Sequence, residues 1–294
     1  MNYTIELIRL IAVILITFTH IKHGFNDGPM YYILEVIPKY GTLILSLVSG
    51  FLYNEVSNKN SSSGLVYRKI RSLLIPYLIA NVLVITPVLI LNYFGYNFLN
   101  RLDYDYTLLT QGILSLNSPP INPPTYFIRD LFIIFLIVGL LRNKNYSVLI
   151  ILIPLAVFGK ILLRFDILIL FTIGVLFSMY RYYFEKYLVS ILLFVSVLVL
   201  LFFNYLILFK YVLTILLFIN VMRIKLGFVK TGGYTYLLHL YHAPIIVFLY
   251  PLLNKYIENP YLKVTLQIVI VASLSYILFK MVKRLKINIL IGNR

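Results

Sequence analysis

Apolar residues in this chain run in blocks, and polar ones gather in the short gaps between them. Ten blocks can be marked, at about residues 5–22, 31–53, 72–94, 125–141, 146–163, 166–180, 187–203, 205–221, 234–251 and 262–280. A helix rises 1.5 Å per residue, so a block of ~20 apolar residues matches the ~30 Å hydrocarbon core of a bilayer. The pattern predicts an all-α integral membrane protein, a bundle of about ten transmembrane helices. One polar connection is long, 95–124, and holds Gln111. It runs into the proline-rich SPPINPPT at 118–125, where fixed φ angles and missing N–H groups forbid a helix. Within it, 108–116 reads as a short helix lying on or dipping into the membrane. No internal repeat stands out, and residues 1–294 read as a single transmembrane domain with no appended soluble domain and no cleavable signal peptide.

Composition sharpens this picture. Of 294 residues, 61% are hydrophobic, and the mean hydropathy of +0.92 exceeds what a soluble core can bury. There is no cysteine, which excludes disulfides, thiolate nucleophiles and cysteine metal sites within the chain. The formal charge of +16 raises nucleic acid as a partner, but the placement of the charges argues against it. With the N-terminus in the cytoplasm, the basic loops all fall on that side. They carry Lys59, Arg68, Lys69 and Arg71, then Arg142 and Lys144, then Arg181 and Lys186, then Arg223, Lys225 and Lys230. The tail adds Lys280, Lys283, Arg284, Lys286 and Arg294. This is the positive-inside asymmetry, and it predicts a multi-pass cell-membrane protein with both termini cytoplasmic. Tyrosine is abundant (26) and gathers near block ends, as interfacial belts require, while tryptophan is absent.

Ionisable residues inside the blocks are the candidates for chemistry. The first block carries Glu6, Arg9 and His20, and a charge at the centre of a spanning helix costs roughly 2.5–3.5 kcal/mol on insertion scales. Arg9 and His20 are eleven positions apart, close to three helical turns, so a continuous helix presents both on one face. Glu6 lies one turn before Arg9 and can pair with it. The alternative is that Arg9 snorkels to lipid headgroups and His20 caps the helix. Ser49 and Gly50 sit in an apolar block, where small residues also serve helix packing. Arg68 and Arg71, one turn apart, are either topology signals or a bidentate anion grip for phosphates. Arg129 and Asp130 open the fourth block; as sequence neighbours they point about 100° apart on a helix and are expected not to face each other. Lys160, Arg164 and Asp166 flank the next turn and can line the same cavity or a solvated loop. His239 and His242 form a second i,i+3 pair beside His20 and His23. A four-histidine metal site is disfavoured, because His239 and His20 are expected to differ in depth by on the order of 10 Å, so no metal is expected.

The ordered set of these segments resembles the acyltransferase-3 family, membrane-bound acyltransferases many of which O-acetylate bacterial surface glycans. The likeness starts with Glu6, Arg9 and His20, an acidic residue and an Arg–ten residues–His pattern. It continues through SGFL at 49–52 and the Arg68, Arg71, Pro76, Tyr77 segment. Later segments are TYFIRDL at 125–131, FTIGVLF around Gly174, and YLLH, with Tyr236 and His239; Gly232 stands where the family frequently has Ser or Thr. The resemblance implies transfer of an acyl group, usually acetyl, from cytoplasmic acyl-coenzyme A to an acceptor on the outer side. It implies His20 as the imidazole acting on the acyl group or acceptor, with Glu6 assisting and Arg9 either assisting or holding the donor. Arg68, Arg71 and Ser49 would then bind acetyl-coenzyme A, and Arg129, Asp130, His239 and Tyr236 the acceptor. The implied partners are the acyl-coenzyme A donor, a surface or lipid-linked glycan, membrane lipid, and a separate extracytoplasmic acyltransferase or export protein. Two other classes stay open: a transporter or flippase for a polysaccharide or lipid-linked sugar, and a membrane assembly factor without catalysis. Inverted repeats with interrupted helices would mark the transporter.

Overall fold

The computed structural model describes residues 3–57, 64–95, 106–140, 161–203, 206–224 and 230–292, with 153, 154, 157–159 and 227. Among these residues every regular element is helical. The principal helices are α1 (Tyr3–Phe18), α2 (Tyr40–Ser57), α3 (Ile75–Tyr93), α4 (Tyr126–Leu140) and α5 (Phe165–Met179). They are followed by α6 (Val189–Phe203), α7 (Leu206–Arg223), α8 (Gly232–Tyr256) and α9 (Pro260–Arg284). Each coincides with an expected block to within about five residues, except α2, which begins at Tyr40 where the block begins at 31, after short helical turns over 28–39. The block at 146–163, with Lys160, lies mostly outside the described residues, as does 96–105 of the long connection. Four helical runs are long and apolar enough to cross a membrane by length and composition: Gly28–Glu55, Leu65–Tyr93, Gly232–Tyr256 and Pro260–Arg284. Many large apolar side chains point outward, among them Ile191, Phe194 and Val197 on α6 and Val269, Leu274 and Ile277 on α9. Such faces suit lipid rather than water.

Glycines set the closest crossings. A Cβ at Gly50 of α2 would stand 1.9 Å from the Phe171 carbonyl oxygen on α5, and one at Gly174 would stand 2.2 Å from the Leu47 oxygen. The backbones of α2 and α5 therefore touch at this pair, which is what small residues achieve between membrane helices. Around the crossing pack Leu43, Leu47, Phe51, Leu170 and Phe177. Gly41 brings α2 nearly as close to α1, where an added Cβ would meet the Ala12 oxygen at 2.5 Å. The turn into α9 is fixed locally: Asn259 Oδ1 accepts the Tyr261 and Leu262 amides at 2.9 and 3.2 Å, and Pro260 occupies the first helical position.

The long connection is shaped, not slack. A π-helical turn stands at Leu108–Ile113, inside the predicted 108–116 helix. The Ile121 amide donates to the Gly112 oxygen at 2.8 Å, and Tyr77 Oη donates to the Ile113 oxygen at 2.5 Å. Asn81 Oδ1 accepts the Asn122 amide at 3.1 Å. Asn122 Nδ2 in turn donates to the Leu240 carbonyl at 2.7 Å. That carbonyl lacks its helical partner because residue 244 is proline. At the start of α8, a 3₁₀ turn (Asn288–Ile291) folds back so that Gly292, at φ +63°, lies against the Ser72 carbonyl.

Candidate functional site

Helices α1 and α8 lie side by side and run in the same direction, which gives the pair two distinct ends. At the first, Glu6 and Arg9 form the expected i,i+3 ion pair, Oε1 to Nη1 3.4 Å. The second carboxylate oxygen of Glu6 accepts the Thr231 amide at 3.3 Å, just where α8 begins. An anion is favoured there, since the first amides of a helix have no intrahelical acceptor. A Cβ at Gly232 would come within 3.2 Å of Glu6 Oε2 and 3.8 Å of Arg9 Nη1.

The second end lies about 16 Å away, eleven residues along α8. Arg9 and His20 both meet α8, as one stripe would, but a continuous helix is not the reason. Helix α1 stops at Phe18, and the His20 and Ile21 amides donate to the Thr17 and Phe18 oxygens at 3.1 Å, tightening the chain out of α-helical geometry. The direction of His20 is thus set by a turn, not by helical arithmetic. Gln267 of α9 clamps the chain two residues on: its Oε1 accepts the Lys22 amide at 3.0 Å and its Nε2 donates to the Lys22 oxygen at 2.8 Å. Held this way, the His20 ring lies 5.1 Å from that of His242, tilted by 55°. His242 is wholly buried, with Nδ1 2.7 Å from the Leu238 carbonyl. His239, also buried, sits 6.2 Å from His242 and meets the edge of Phe127 at 5.8 Å. His23 turns away and pairs with Glu35 at 3.3 Å. Among the described residues, no group of three or more His, Asp or Glu side chains is arranged to hold a metal ion.

Arg68 and Arg71 are exposed, and between them the helix widens into a π turn (Ile70–Leu74). Arg71 rests over the Tyr67 ring at 5.7 Å, and Lys69 lies 3.7 Å above Phe135. Tyr236 Oη donates to the Ser72 carbonyl at 3.0 Å, so Tyr236 belongs to this end of the bundle.

Arg129 and Asp130, expected not to face each other, form a buried ion pair at 2.6 Å. A helical wheel gives Cβ directions, and the long arginine side chain simply reaches round to its neighbour. Arg129 also donates to the Ile161 and Leu116 carbonyls at 3.0 and 3.4 Å, while Asp130 accepts the Leu163 and Arg164 amides at 3.3 and 3.0 Å. Together they fasten the turn before α5. There Arg164 ion-pairs with Asp166 and donates to Tyr126 Oη at 2.9 Å. Burial disfavours the Arg164 charge, but Tyr126 and Asp166 outweigh it and hold the guanidinium above its ordinary pKa.

The acyltransferase-3 family model, an acyltransferase domain, matches residues 2–280, nearly the whole chain. The chain belongs to the acyltransferase-3 family. No curated protein and no solved structure matches it. Within this acyltransferase, the geometry divides the family-like segments into two kinds. Gly50 of SGFL and Gly174 of the Phe-x-x-Gly segment are the two halves of one helix crossing. Ser49, beside it, is half-buried. Gly232 abuts the Glu6 carboxylate, whose Oε2 lies 3.2 Å from where a Cβ would stand. The histidine segments instead meet across helices, at His20 and His242. Sequence reasoning noticed His242 only as a neighbour of His239, and passed over Gln267 and Asn122. The signal for Asn122 was available in Pro244, which announces a carbonyl in need of a donor.

Proposed function

We propose that this membrane acyltransferase moves an acyl group, acetyl in the simplest case, from cytoplasmic acyl-coenzyme A to a hydroxyl of a cell-surface or exported polysaccharide. About ten crossings of the cell membrane and cytoplasmic termini are part of this reading, supported by the lysine and arginine asymmetry. The observation that carries it is the α1–α8 pair: an ion pair at one end and apposed imidazoles at the other, in a chain of this family. The donor enters from the end bearing Arg68 and Arg71, whose exposed guanidinium groups suit its phosphates. Tyr236 and Ser49 belong to the donor side of this reading, with Glu6 and Arg9 deeper in. The pantetheine arm carries the thioester toward His20. His20 takes the proton of the acceptor hydroxyl as its oxygen attacks the thioester carbonyl, the carbon–sulfur bond breaks, and the thiolate leaves with that proton. His239 stands beside the same rings, 6.2 Å from His242. Arg129 and Asp130 stay on the acceptor side of this reading, where their ion pair shapes the turn before α5.

Mass spectrometry of surface glycans from cells with and without the gene tests the reaction, and His20→Gln tests the assignment. Acylation at the level of the native protein from matched amounts of His20→Gln would remove His20 from catalysis. Orientation is tested by an impermeant thiol reagent on single-cysteine variants, the chain having no cysteine of its own. Labelling from outside is expected at Asn117→Cys and not at Asn58→Cys; the reverse would invert the topology.

A further inference from the structure

One buried group has no task in that chemistry. His242 is wholly buried, and its Nδ1 lies 2.7 Å from the Leu238 carbonyl oxygen. A carbonyl oxygen only accepts, so Nδ1 carries the proton and neutral His242 presents a bare lone pair at Nε2. That Nε2 is buried and has no hydrogen-bond partner among the described residues. A bare acceptor in such a place is uncommon and calls for a reason. The neighbouring ring is His20, 5.1 Å away between centroids, carried on a turn outside α1 and held through Lys22 by Gln267.

We infer that His242 is a positioning residue for His20: its bare Nε2 receives an N–H of His20, which fixes the His20 tautomer and leaves the opposite ring nitrogen free for the acyl-transfer step. The inference rests on the proposed role of His20. The second ring does for His20 what a buried carboxylate does for other catalytic imidazoles, but without adding a charge. Neutrality matters in an apolar wall, where an unpaired carboxylate would be costly. The other titratable groups facing the pair are His239 on α8 and Lys22 after α1. Filling the space without the lone pair should therefore damage turnover rather than donor binding.

The test uses membrane vesicles holding the full-length protein and its native glycan, with labelled acetyl-coenzyme A, across pH and donor concentration. His242→Phe fills the volume and lacks the acceptor. Its maximal rate should fall about 100-fold with donor KM unchanged. Its acidic limb should move to lower pH, since an acceptor at Nε2 stabilises protonated His20 more than neutral His20. His242→Gln offers an amide oxygen and should recover about tenfold over Phe. If His242→Phe does not accumulate in the membrane, His242→Met replaces it against the same Gln variant. A native rate and native acidic limb in the Phe or Met variant would overturn the inference, as would equal loss in both variants with no recovery by Gln. An active His20→Gln would sink the functional reading itself. An inactive His20→Gln beside a fully active His242→Phe would sink this inference alone.

Discussion

At the Glu6 end of the α1–α8 pair, each charge has an answering group. The carboxylate takes the Arg9 guanidinium on one oxygen and the Thr231 amide on the other. At the His20 end, a wholly buried nitrogen of His242, whose ring stands 5.1 Å from that of His20, makes no hydrogen bond among the described residues. The two ends are built from the same two helices, so the difference is not one of scaffold. A satisfied network holds geometry, and its parts resist rearrangement. A bare acceptor beside a second imidazole can take that ring's N–H and fix its tautomer. The ion pair is thus read as the fixed point and the imidazoles as the working point.

That contrast can be broken by substitution. The largest effect belongs to the working end: His20→Gln should lower transfer by 10²–10⁴-fold, on the order of what a general base supplies, while the protein inserts and melts as before. Glycan acyl content at matched expression checks it. Glu6→Gln should show the opposite profile. It leaves a largely buried guanidinium without its counter-charge, so stability should drop by about 1–3 kcal/mol, seen as a lower thermal midpoint in detergent, with a milder loss of rate. A stable Glu6→Gln with no activity would reverse the assignment of the two ends. Replacing Arg68 and Arg71 together by Gln should raise donor KM about tenfold, with Lys at both positions restoring only part, because an ammonium lacks the bidentate fork. Titrating acyl-coenzyme A against transfer rate decides this. The smallest effect is expected from Gly232→Ser. The new Cβ stands 3.2 Å from Glu6 Oε2, close enough for the hydroxyl to donate to it, so stability should change by no more than about 0.5 kcal/mol.

The helices were legible in the sequence because bilayer thickness imposes a length, and blocks of apolar residues record it. Gly50 and Gly174 were visible as small residues, but not as partners, since nothing in either segment names the other. The Glu6–Arg9 pair was legible because both members sit on one helix at a spacing that fixes their distance. The His20–His242 apposition was not. It depends on where α1 stops, on the turn after Phe18, and on how far α8 is raised against α1, and none of these is local. The Arg129–Asp130 pairing was misread for a different reason: Cβ directions were used where side-chain reach decides.

Pro244 leaves the ladder of α8 incomplete at Leu240, and the missing rung is supplied by Asn122, 118 residues earlier in the chain. Mechanically, α8 is therefore not a rod with a kink but a spliced beam whose splice plate belongs to the long connection. The splice sits within one turn of both His239 and His242. Strain applied to the 118–125 segment, by thermal motion or by a docked chain, is delivered to the helix at that level rather than spread along it. Cutting the splice with Asn122→Leu would uncouple the two, and in hydrogen-exchange experiments segments that open together should then open apart.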